Sequence, residues 1–314
     1  MHPVQFNSQG SAGAAPVARV VKALAAPIRP IAALLLAAGL LAAVGMSRAA
    51  DELRSVKGLA MPESVVVGAD GRLYVSEIGG FGKDGDGRIV VIDAAGKTVK
   101  PFATGLDDPK GLVISRDVLF VADKTRVMKI DASGQVSVLA DAKDFPQPPL
   151  FLNDLALDAR GDLYVSDTGD AEKGSKGAIF RITPQGKVSL LISEAQNPLF
   201  KNPNGLLFEP SGSLLVADFF SGDLLRLETA TKKTEKLAGG FGGGDGLALD
   251  AAGMLYITDW KGGRAWKLDL RKPGAEPQQY DRKFEAAADI ALSTDGKFVL
   301  LPDMKAGALY WLPK

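Results

Sequence analysis

From Glu63 to the end of the chain, short apolar runs alternate with polar punctuation, and one phrase returns six times. It stands clearest in Glu63–Glu77 (ESVVVGADGRLYVSE), Asn153–Asp167 (NDLALDARGDLYVSD), Asn204–Asp218 (NGLLFEPSGSLLVAD) and Asp245–Asp259 (DGLALDAAGMLYITD). Two looser copies are Lys110–Asp123, one residue shorter, and Ala288–Asp303. In each, an apolar run too short for a helix is followed by a turn and a second apolar run, the pattern of a β-hairpin. Gly71, Gly161, Gly212, Gly253 and Gly296 stand eight residues after the leading position. Glycine there supplies the positive φ that a tight hairpin needs.

A third apolar run follows every hairpin: Arg88–Ile92, Arg126–Ile130, Ala178–Ile182, Asp223–Leu227, Ala265–Leu268 and Ala308–Leu312. A fourth follows in most copies, at Thr98–Phe102, Gln135–Leu139, Lys187–Leu191 and Thr234–Leu237, with a weaker one at Gln278–Tyr280. The leading positions recur every 41 to 51 residues. Four antiparallel strands per unit at a period in the forties predict an all-β, six-bladed β-propeller. The last copy ends at Lys314 without a fourth strand. Gly58–Glu63 (GLAMPE) matches Gly105–Lys110 (GLDDPK), the link from a fourth strand to the next first strand. Glu52–Lys57 is therefore predicted to supply the missing strand of blade six and to close the ring, leaving no open edge.

Charge changes the picture at the N-terminus. Residues 1–50 hold Arg19, Lys22, Arg29 and Arg48 but no acid, and the apolar run Ile31–Met46 is followed by Ser47-Arg48-Ala49. This is the layout of a secretory signal peptide, and the run falls short of the roughly 20 residues that span a bilayer. The expectation is a leader over 1–49, a single propeller domain over 50–314, and a periplasmic or secreted protein with no membrane attachment after cleavage; an uncleaved anchor is the alternative. The whole chain balances 37 Lys+Arg against 37 Asp+Glu, so the exported body holds 33 basic and 37 acidic residues. That balance argues against an electrostatic nucleic-acid binder. The chain has no Cys and one His, His2, which removes thiol nucleophiles, zinc–cysteine and iron–sulfur sites, Ser-His-Asp triads and His-ligated metals from the body.

The first strand of each propeller blade lines the central channel, so the six leading residues are expected to ring the axis. They are Glu63, Lys110, Asn153, Asn204, Asp245 and Ala288. Two carboxylates and two carboxamides converging there suit Ca²⁺, with Mg²⁺ or another divalent ion as the alternative. The bland reading is that such residues solvate a water-filled channel. Lys110 is the odd member, since an ammonium beside a dication is costly. Either it points away, or its pKa is depressed, or its ammonium stands in place of the metal, which would make the propeller non-catalytic.

The in-register Glu63, Asn153-Asp154, Asn204-Gly205 and Asp245-Gly246 pattern resembles the SMP-30/gluconolactonase/LRE-like family of six-bladed propellers, within the calcium-dependent phosphotriesterase and lactonase superfamily. Each short motif alone is a common turn dipeptide, but four at blade spacing are more specific. The resemblance implies a divalent-metal-dependent hydrolase of lactones or related esters, with Glu63, Asn204 and Asp245 as ligands and Asn153 as a ligand or substrate contact. Family members acting on sugar lactones carry an Arg where this chain has Phe151, which puts a polar sugar substrate in doubt. Paraoxonase-like relatives use a His shuttle that this chain lacks. The general base would then be a carboxylate, Asp245 first and Asp154 second, with Lys110 stabilising the oxyanion.

Phe81, Phe151, Phe219, Phe220, Phe241 and Trp260 are expected to wall the mouth and to favour an apolar or aryl-bearing small-molecule substrate, although for each taken singly the bland reading, packing between blades, is favoured; Phe151, Asn153, Phe219 and Trp260 are the leading substrate contacts. Glu77, Asp123, Asp167, Asp218, Asp259 and Asp303, which end every second strand, are read as structural acceptors of backbone N–H groups in the following turn. The glycine-rich Gly239–Gly246 lacks the Lys-Ser/Thr and helix of a phosphate loop. A competing reading is a non-catalytic binding module of the NHL-repeat type, and a further one is a relative of strictosidine synthase. A monomer is expected.

Overall fold

The structure, a computed structural model, describes residues 52–170 and 172–314, so the expected leader lies outside the described residues. Among them the strands form six four-stranded antiparallel sheets, five of them in simple up-and-down order. The innermost strands are Pro62–Val67, Pro109–Ser115, Leu152–Leu157, Pro203–Phe208 and Gly244–Leu249, and in blade six only Ala291–Leu292. Second and third strands fall within a residue or two of the apolar runs. In blades one to four the fourth strands end past the predicted runs, the first of them covering Val99–Leu106, whereas those of blades five and six, Gln278–Gln279 and Ser55–Lys57, are shorter than expected.

Blade six is a composite. Ser55–Lys57 pairs with Ala308–Pro313 in the register Ser55↔Tyr310, Val56↔Leu309, Lys57↔Ala308, so the N-terminal strand closes the ring. The blade's innermost ladder is minimal, with Ala291↔Leu300 and Leu292↔Val299 supplemented by one bridge at Ala287↔Asp303.

The five hairpin glycines all take positive φ, from 65° at Gly296 to 89° at Gly212. Blade two makes the same turn with one residue fewer. Arg116 (φ 48°) and Asp117 (φ 63°) form a two-residue loop between the paired Ser115 and Val118. Two successive left-handed residues match the hairpin's strand twist.

The core lies between blades rather than at the axis. Leu112 and Val121 of blade two pack on Tyr74 and Ile89 of blade one, and Leu309 and Trp311 of blade six pack on Val65 and Val75 of blade one. Each interface is apolar on both sides, so the sheets stack face to face around the ring while the axis is left to polar side chains.

Candidate functional site

The leading residues sit where the hairpin ladder is interrupted. In five blades the register slips between Pro62 and Val65, Pro109 and Leu112, Leu152 and Leu155, Pro203 and Leu206, and Gly244 and Leu247. Each bulge spans a leading residue and its successor, and such bulges re-aim side chains. The backbone N–H groups of Ser64, Asp154 and Gly246 donate instead to the hydroxyls of Ser76, Ser166 and Thr258, at 2.9, 2.9 and 2.7 Å.

The successor is Gly111, Gly205 or Gly246 in three blades because inner strands converge there. A Cβ on Gly205 would lie 1.8 Å from the Asp245 carbonyl oxygen, and one on Gly246 would lie 2.5 Å from Asp289 Cα. The Asn-Gly and Asp-Gly dipeptides are thus close-approach points within strands, not turns.

A second repeated slot holds the incoming loops. The strand-end carboxylates accept backbone N–H groups mainly from two or three residues before the leading position. Glu77 takes Ala60, Asp123 takes Asp107 and Asp108, and Asp167 takes Leu150 and Phe151. Asp218 takes Asn202, Asp259 takes Gly243, and Asp303 takes Glu285 and Ala286. The expected bonds to the following turn are also present at Gly169, Ser221 and Gly262, but the larger effect is to clamp the segment that delivers each axial side chain.

The delivered side chains meet at a cavity of about 140 Å³ lined by Glu63, Lys110, Asn153, Asn204 and Asp245. All five are buried. Glu63 Oε2, Asn153 Oδ1, Asn204 Oδ1 and Asp245 Oδ1 are buried oxygens without a hydrogen-bond partner among the described residues. Leaving one such atom unmet costs about 1–3 kcal/mol, so four around one cavity form an oxygen donor set that a cation or water would complete. Asn153 is fixed in this sense: its Nδ2 donates to Thr168 Oγ1 at 3.1 Å, and that hydroxyl donates to the Pro203 carbonyl at 3.1 Å. Burial raises the Glu63 carboxyl well above the usual range, the carboxylates of Asp245, Asp289 and Asp154 raise it further, and Lys110 opposes them. Burial likewise raises Asp245, with Asp289 and Asp259 adding to the effect. An all-oxygen set with two crowded carboxylates fits a hard divalent cation. Among the described residues no three acidic or imidazole side chains gather in metal-holding fashion, so the two carboxamides are integral to the set.

Lys110 is not seated among these oxygens. Its Nζ donates to the Asp108 carbonyl at 3.0 Å and lies 4.2 Å from the centre of the Phe151 ring. Burial lowers its pKa, against the opposing pull of Glu63, Asp108 and Asp123. Phe151 thus carries the cation on its face.

Asp154 departs from the sequence expectation. It does not line the cavity, and its carboxylate accepts from Leu155 N at 2.6 Å and Leu206 N at 2.7 Å, tying blade three to blade four. Both oxygens are thus engaged in bracing the inner strands, outside the cavity where a base would meet substrate. Asp289, which sequence reasoning missed, holds the equivalent slot in blade six; it accepts from Ser64 Oγ at 2.5 Å and Ile290 N at 2.8 Å. Burial pushes its carboxyl up to about 6.

Phe81, Phe151, Phe219 and Trp260 line the cavity. Phe241 does not: it is 1% exposed and packs edge-on against Trp266 at 5.9 Å, inside the interface between blades four and five. Phe220 is exposed and lies outside the lining. Three further wall residues, Ile78, Thr168 and Met304, follow the strand-end carboxylates Glu77, Asp167 and Asp303, as Phe219 and Trp260 follow Asp218 and Asp259. That column was a legible signal.

The family model described as SMP-30/Gluconolactonase/LRE-like region matches residues 116–297. No curated protein matches the chain. Among solved structures, regucalcin from Agrobacterium tumefaciens, described as a calcium-binding protein, is 20% identical over 81% of this chain and 90% of its own, with a TM-score of 0.65. A putative gluconolactonase is 20% identical over 84% and 95%, with a TM-score of 0.64. Virginiamycin B lyase from Staphylococcus aureus is 14% identical over 84% and 99%, with a TM-score of 0.59. At these identities the structures share the propeller fold.

Proposed function

Since this chain belongs to the SMP-30/gluconolactonase/LRE-like family, we propose that it is an exported hydrolase of lactones or related esters that depends on a divalent cation. The observation that carries this reading is the group of four partnerless buried oxygens around one cavity. Glu63, Asn153, Asn204 and Asp245 would hold the ion, with Ca²⁺ the first choice; the calcium-binding description of the Agrobacterium regucalcin supports that choice. A bound divalent cation supplies positive charge that polarises a carbonyl and makes water more acidic.

The chain's own groups do the rest. The apolar wall of Phe81, Phe219 and Trp260 excludes bulk water and holds the acyl or aryl body of the substrate. Asp245 takes a proton from water as the water oxygen bonds to the carbonyl carbon. Lys110, fixed by Asp108 and Phe151 at the cavity edge, presents its ammonium to the oxyanion that develops. As the C–O bond to the leaving group breaks, the Asp245 carboxyl returns its proton to the departing oxygen.

Metal analysis of purified protein, with a panel of lactones and aryl esters, tests the proposal. Stoichiometric calcium and chelator-sensitive turnover are expected. At a calcium concentration 100 times Kd, stability should rise by about 2.7 kcal/mol. Asp245→Asn should fold, lose that rise and lose turnover. A metal-free protein with no calcium-induced shift, or an Asp245→Asn variant with full activity, would refute the assignment.

A further inference from the structure

We propose that the ligand entering this cavity carries an anionic group, a carboxylate or a phosphate, and that a basic cleft between blades five and six receives it. The cleft, of about 570 Å³, is lined by Lys261, Arg282, Lys283 and Lys305, with Glu285 and Asp303 as its carboxylates. Asp303 is committed to the backbone N–H groups of Glu285, Ala286 and Ala306. Among the described residues none of the four cations forms an ion pair. The exported body expected from the sequence has a slight acidic excess, so four unpaired cations in one concavity make a local positive potential that an anion would relieve.

Two of these cations join the cleft to the cavity. Lys261 Nζ lies 4.2 Å from the centre of the Phe219 ring and donates to the Phe219 carbonyl at 3.2 Å. Lys305 Nζ lies 4.5 Å from the centre of the Trp260 ring. Phe219 and Trp260 line the axial cavity, with ring centres 6.2 Å apart. The aromatic pair therefore borders the cavity that holds the oxygen cage and is also in contact with the two lysines. A ligand that fills this space has a polar reacting end at the axis, an apolar middle against Phe219 and Trp260, and a negative end at Lys261 and Lys305. Lysines outnumber arginine in the cleft, so the anion is met chiefly by separate ammonium point charges rather than by a guanidinium fork. Describing this ligand as a substrate rests on the hydrolase reading.

The test is calorimetric binding of 3-phenylpropanoate, benzyl phosphate and the neutral 3-phenylpropanamide to the intact protein. Either anion should bind about ten-fold more tightly than the amide, and the stronger of the two identifies the charged group. The preference should shrink as salt rises from about 0.02 to 0.3 M. Both bridging lysines are exposed, so Lys261→Gln/Lys305→Gln should keep the fold and any calcium-induced stabilisation while losing the preference for anions. Equal affinity for the amide, no measurable binding of either anion, or an undiminished preference in the double variant would overturn the inference. If the anions bind as expected but no lactone or ester turns over, the hydrolase reading fails and the anion site stands.

Discussion

Gly205→Ala isolates the convergence of inner strands on which the axial cage depends. Gly205 is not among the positive-φ glycines, so the backbone itself tolerates an alanine there. The cost is steric: the new methyl would lie 1.8 Å from the Asp245 carbonyl oxygen, with Leu247 Cγ at 3.4 Å. Reaching even a 3.0 Å contact requires the strands to part by more than 1 Å, and the obstacle is backbone, which cannot rotate aside. Overpacking of this kind costs about 3 kcal/mol, or about 6–12 °C in Tm for a domain of this size. The matched control is Gly212→Ala, where φ is +89° and nothing lies within 4 Å; only the left-handed backbone opposes it, at about 1 kcal/mol. Urea unfolding followed by tryptophan fluorescence gives both values. Parting these strands also separates Asn204 from Asp245, so calcium should stabilise Gly205→Ala less than the parent. A Gly205→Ala variant that loses no more stability than Gly212→Ala would refute the close approach.

Two further outcomes follow from particular contacts. Thr168→Val removes the hydroxyl that holds Asn153 Nδ2 and meets the Pro203 carbonyl; calcium affinity measured by calorimetry should fall about ten-fold or more, and Thr168→Ser should restore it. Lys110→Met removes a buried ammonium whose pKa burial depresses, so thermal stability should hold or rise while kcat on a responsive ester falls about 10²-fold; an unchanged kcat would exclude Lys110 from the reaction.

The architecture was legible because the repeat carries it: a leading polar residue, a turn glycine and a strand-end carboxylate return at fixed offsets, and offsets translate directly into blade positions. The axial residues were legible for the same reason. What the pattern could not settle was direction. Asp154 and Gly205 occupy the same slot, and it takes the bulge geometry with the Leu155 and Leu206 N–H groups to hold the carboxylate outside the cavity. Lys110 is placed by a carbonyl and a ring, at Asp108 and Phe151, neither of which marks itself in sequence as a lysine's partner. Phe241 follows the bland alternative: it sits in a glycine-rich approach loop, as a mouth residue would, but packs between blades, edge-on against Trp266.

Closure by Ser55–Lys57 has a consequence for the order of assembly. Among the described residues the first strand pairs with the last, at Tyr310, Leu309 and Ala308, across almost the whole described chain. Pairings between such distant segments form late and slowly. Every other blade is local and can form as its own residues emerge, but the seam waits for the final strand. Without Ala308–Pro313 the described strands would form an open arc with two free strand edges, and that one strand turns the arc into a ring.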